Sequence, residues 1–114
     1  MEKNREIPEF DQRGFLSLMK LGGKKKVDAL MELLGQSAPV RITELKAAKS
    51  LAEAKAAVQA LKMSAGNLGL ARLEDYCDQI LESKTWPLPG GMIHHVELAY
   101  AHGHKALQAQ RDRI

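Results

Sequence analysis

The feature that most restricts this chain is its period. Apolar residues recur at steps of three and four almost from end to end, and no useful stretch of β-type alternation interrupts them. The clearest case is the stripe Leu51, Ala54, Val58, Leu61, Ala65 and Leu68, whose spacing puts every member on one side of a helix facing a core. Hydrophobic residues make up 45% of the chain but aromatics only 4%, so the core is built from Leu, Ala, Val, Ile and Met, which suits packed helices better than a β-sandwich. The expectation is all-α. At 114 residues the chain is expected to form one domain with one core, spanning 1–114.

Punctuation divides the periodic stretches. A short helix over 11–21, with Phe15, Leu18 and Met19 inward, stops at Gly22-Gly23, because glycine accepts the left-handed conformation at a helix end. A second helix over 25–36 uses Val27, Leu30, Met31 and Leu34. Pro39, which lacks an N–H, suits the first turn of a separate segment reaching about 49, with Val40, Ile42 and Leu45 inward. The long helix over 51–67 ends before Gly69. Another over 70–83 carries Leu73, Tyr76, Cys77, Ile80 and Leu81, and a last one over 92–110 carries Met92, Val96, Tyr100, Gly103 and Leu107. Between these two lies "SKTWPLPGG", a loop set by two prolines and two glycines, with Trp86 expected to plug an end of the bundle. Short connections make neighbouring helices antiparallel, so the architecture read here is an up-and-down four-helix bundle with a short N-terminal helix.

Composition also excludes functions. The single cysteine, Cys77, allows no internal disulfide and no paired-cysteine metal or redox motif, and sits at core spacing. There is no signal-type apolar segment at the start and no apolar run long enough for a membrane span, so a soluble, cytoplasmic protein is expected. His94, His95, His102 and His104 never stand three or four residues apart, which disfavours a helical metal grip; no metal and no cofactor are expected. No triad, phosphate loop or paired carboxylates point to an enzyme. The net charge of +3 is mild and Lys20 with Lys24, Lys25 and Lys26 forms the one basic cluster, so a helical nucleic-acid-binding role ranks behind a protein-interaction role.

One segment says more. On the 51–67 helix, Met63 lies about 40° and Lys62 about 60° to either side of Gln59, with Gly66 almost in line beneath it, so all four share the face opposite the apolar stripe. There "VQALKMSAGNLGLARLEDYCDQILE" resembles the histidine-containing phosphotransfer (HPt) family of bacterial two-component phosphorelays, whose pattern is roughly A-H-x-L-K-G-S-S-x-N-L-G-A followed by L-x-x-L-C-x-x-L-E. Upstream, "FLSLMKLGGKKKVDALMELL" and "APVRITELKAA" are similar to further family segments, so the resemblance covers about 15–107. It implies a phosphorelay bundle that meets response-regulator receiver domains or hybrid histidine kinases.

Two departures qualify that implication. The family's phosphate-accepting histidine falls at Gln59 and a family glycine falls at Met63. A neutral imidazole offers a free lone pair to phosphorus, whereas a carboxamide nitrogen has its pair delocalised into the carbonyl, so Gln59 cannot act as the acceptor. Met63 crowds the phosphoryl space while enlarging an apolar patch. The resemblance gives Lys62 a role in positioning phosphoryl oxygens by charge. Lys55, Gln59, Lys62, Met63 and Gly66 are the expected partner-docking residues, and Gly66, which has no side chain, is expected to leave a notch where another backbone can approach. The expected role is docking on a receiver, a kinase or another regulated protein without carrying phosphate. An active phosphorelay protein with an engineered change at 59 is the alternative, opposed by the second departure at Met63.

Overall fold

The computed structural model describes residues 7–113 and is all-helical across them, with no strand among the described residues. Helices α1 (Gln12–Ala47), α2 (Leu51–Leu68), α3 (Ala71–Glu82) and α4 (Met92–Asp112) follow one another, each packed on its chain neighbour, with α4 closing back on α1. This is the four-helix bundle expected from the spacing.

α1 is two helical arms joined at Gly23, where φ 67 and ψ −166 break the helical path. Only glycine occupies that backbone region without strain, so the double glycine ends the first arm where the sequence places it. Asp11 caps that arm by accepting from the Arg13 N–H. The arm lies across one end of the bundle, its Phe15 and Leu18 buried and Gly14 packed close on Gly69.

The second arm differs from expectation at Pro39. The sequence reading ends one helix near 36 and begins another at 39; the structure runs a single helix through Pro39 to Ala47. The buried positions Val27, Met31, Leu34, Ala38, Ile42 and Leu45 keep steps of three and four straight across the proline. An interior proline costs about 3 kcal/mol, while each well-buried Val or Leu returns about 1.5–3 kcal/mol, so an unbroken seam outweighs one missing hydrogen bond. The same seam corrects Val40: Ala38 takes the inward place and Val40 is 51% exposed.

α2 begins at a Ser50 cap whose hydroxyl accepts from the Glu53 N–H, while Glu53 reaches back to the Lys49 N–H. It ends at Gly69, left-handed at φ 81, whose N–H points to the Ala65 and Gly66 carbonyls. Its buried side is the expected stripe, with Ala57 added and Leu51 only half-buried. α3 buries Leu73, Cys77 and Ile80; Tyr76 and Leu81 are half-buried. α4 buries Val96, Ala99, Gly103 and Leu107, with Met92 and Tyr100 half-buried. Ion pairs join α1 and α4 near both ends: Lys46 with Glu97, and Asp28 with Arg111 at 2.7 Å. Trp86 lines a shallow cavity with Ala48, Leu88 and Ile93 and stays 38% exposed, so it does not fill the end of the bundle as a plug would.

Candidate functional site

The outward side of α2 is produced by the stripe on its inward side. Burying Ala54, Val58, Leu61, Ala65 and Leu68 turns Gln59 and Met63 to solvent, and Met63 is 63% exposed. Lys55, Lys62 and Gly66 are half-buried, and Lys62 and Gly66 lie on the flank that meets α3. The tight turn at Gly69 sets the antiparallel register, bringing residue 62 against residue 78 and residue 66 against residue 74.

That register engages two of the expected docking residues within the chain. Lys62 Nζ sits 2.7 Å from Asp78 Oδ1, and the hydrogen bond to Asp78, helped by the charges of Asp78 and Glu74, pushes the ammonium above the ordinary lysine range. The notch expected at Gly66 is filled. A Cβ built there meets Glu74 Oε2 at 3.0 Å, so the Glu74 side chain lies over the glycine. Behind this pair, burial pushes the Cys77 thiol up to about 12, with the Asp78 and Glu74 charges adding to the effect. A thiol held so high is a packing group at neutral pH.

On the other side of Gln59, toward α1, the surface is apolar. Met63 lines a cleft of about 280 Å³ with Leu30, Leu33, Ala60, Ser64, Asn67 and Leu68. Leu33 is 56% exposed. Sequence reasoning missed Leu33 and this cleft. The available signal was "LL" at 33–34: a helix stripe seats only one of two adjacent leucines, and Leu34 takes the core place.

The face therefore has three zones: an apolar cleft around Met63 and Leu33, the Gln59 carboxamide at the crest, and the Lys62–Asp78 pair with Glu74 on the far slope. Such a surface can bury apolar side chains and exchange hydrogen bonds. It holds no nucleophile at position 59, because an amide nitrogen has no free lone pair.

The histidines stand apart from it. His95 stacks on Tyr76 at 5.3 Å between ring centres, His104 lies beside Tyr100, His94 is within 3.8 Å of Glu97, and His102 Nδ1 is 3.4 Å from Glu9. Among the described residues no three His, Cys, Asp or Glu side chains converge as a metal site. Lys20, Lys24, Lys25 and Lys26 are exposed around the break at Gly23. No helix among the described residues is long and apolar enough to cross a membrane.

Comparison with solved structures gives a close likeness in fold. The chain is similar to the crystal structure of histidine-containing phosphotransfer protein B from Pseudomonas aeruginosa PAO1, with 20% identity over 96% of this chain and 99% of that one and a TM-score of 0.78. That likeness shows the HPt fold. No family model matches the sequence, and no curated protein matches it.

Proposed function

We propose that this chain is a signalling module of a bacterial two-component phosphorelay that docks on receiver or kinase partners, or on another regulated protein, without carrying phosphate. The observation that carries the reading is the exposed carboxamide of Gln59 on an uncovered α2 face beside the Met63 cleft. The HPt fold supplies the signalling context, and the residue at the crest removes the chemistry. Acting by occupancy, such a module blocks or recruits its partner in proportion to its concentration, and it is no enzyme.

Docking centres on Gln59 and Met63, with the cleft lined by Leu33 taking apolar side chains and Lys55, Lys62 and Gly66 forming the edge of the surface. Interfaces of this kind draw most of their affinity from a few well-packed central residues, and methionine packs adaptably there. The test is capture of receiver-containing proteins from the native cell extract with the unaltered chain, compared with Met63→Glu and Gly66→Arg, each verified as folded by its thermal melt. One receiver-domain partner retained by the unaltered chain and lost by both variants is the expected result. Equal retention by all three rejects the face as the docking surface.

A further inference from the structure

We infer that Asp78, seconded by Glu74, is a separate determinant of the phosphate-free state, so that a histidine restored at position 59 stays a poor phosphoryl acceptor until the Asp78 charge is removed. The inference rests on the reading of the Gln59 face given above and extends it from one residue to the neighbouring helix.

The geometry is a matter of register. Residues 74 and 78 are one turn apart on α3 and lie along one line of that helix, facing residues 66 and 62 of α2. Asp78 holds Lys62 at 2.7 Å and Glu74 covers Gly66. Lys62, three residues from position 59, is the cation placed to steady a phosphoryl group there, and it is already engaged. The pair is partly solvated, 34% and 38% exposed, so releasing Lys62 costs little; the obstacle that remains is the negative charge itself. A phosphoryl group at position 59 that is steadied by Lys62 brings about 1.5 to 2 negative charges to the ammonium that Asp78 already holds, and like charges sharing one cation disfavour one another.

Direct chemical phosphorylation tests this without a protein partner. With phosphoramidate as donor and Gln59→His as the acceptor protein, a nitrogen of the neutral introduced imidazole attacks phosphorus. The donor's P–N bond breaks, and ammonia leaves with the bonding pair, taking up the proton that the ring gives up. The product is an acid-labile, base-stable phosphoimidazole located by peptide mass mapping, which separates position 59 from the four native histidines. The variants are Gln59→His alone and the same change combined with Asp78→Asn, Asp78→Ser or Asp78→Glu.

Gln59→His alone is expected to react slowly, and adding Asp78→Asn or Asp78→Ser to raise the rate at position 59 by about three- to tenfold, the upper figure equal to about 1.4 kcal/mol. Asp78→Glu keeps the charge and gives no comparable gain. Adding Lys62→Gln to the protein that carries both Gln59→His and Asp78→Asn removes the gain, which a merely structural role for Asp78 does not predict. Equal rates with and without the Asp78 changes, in variants of unchanged thermal stability, overturn the inference; so does an equal gain from Asp78→Glu. The underlying reading fails separately, through acid-labile phosphate on the unsubstituted chain after exposure to a phosphorylated receiver.

Discussion

Gly69→Ala tests how the site's register is set. The residue is left-handed at φ 81, and a Cβ there runs into the Asp11 carbonyl oxygen, a backbone atom with no rotamer to move aside. Holding a non-glycine residue in that region costs roughly 1–2 kcal/mol, and forcing atoms into a filled space adds about 1–3 kcal/mol. Relief requires the segment before α1 to lift, which breaks the 2.6 Å hydrogen bond from the Asp11 N–H to the Gly69 carbonyl. The combined loss is about 2–5 kcal/mol. At roughly 4 °C per kcal/mol for a chain of this length, the thermal midpoint followed by circular dichroism drops by about 8–20 °C. Amide exchange at Asp11 accelerates in the same variant. Gly35→Ala is the control: it lies in a helix with open space around its missing Cβ and is expected to gain about 0.5–1 kcal/mol. A Gly69→Ala midpoint within about 2 °C of the unaltered protein refutes the reasoning, since neither the conformation nor the contact then carries the cost.

Other perturbations reach other parts of the account. Pro39→Ala restores an interior helix hydrogen bond and is expected to stabilise by about 1 kcal/mol or more in a urea titration, whereas a loss indicates that the helix needs its proline. Ser50→Ala removes the α2 cap and is expected to cost about 1 kcal/mol in the same titration. Asp11 is held down to about 2, chiefly by the Arg13 side chain, so its ion pair stabilises the fold fully above the ordinary value near 3.8 and is lost as pH falls toward about 2; Asp11→Asn melts compared across that window show the unaltered protein's advantage disappearing. Cys77, with its thiol at about 12, is expected to resist iodoacetamide at mildly alkaline pH in the folded protein and to react promptly in denaturant, as intact mass will report.

Much of this architecture is legible in local chemistry. Gly22-Gly23 announces the break in α1, and the Leu51-to-Leu68 stripe announces both the buried side of α2 and the exposure of Gln59 opposite it. Pro39 misleads because a local signal for a helix start competes with a seam that runs from Val27 to Leu45, and the strength of the seam depends on partners in α2 and α4. The engagement of Lys62 by Asp78 and of Gly66 by Glu74 depends on a register between two helices. That register follows from the turn at Gly69 and Leu70, so a reader who pairs residues symmetrically about Leu70 recovers both contacts. The Leu33 cleft is less accessible, since spacing puts Leu34 in the core and Leu33 outside it but does not say that α1 and α2 leave a cleft beside Leu33.

The account turns on a face that binds but does not react, and phosphoryl transfer from a charged receiver measures this directly. Mix the unaltered chain with a receiver domain that binds it and carries aspartyl phosphate, then follow the intact mass of this chain alongside complex formation. The account predicts a stable complex with no acid-labile phosphate gained by this chain at any time. A phosphoryl group that appears here as the receiver loses its own, stable to base and lost in acid, contradicts it.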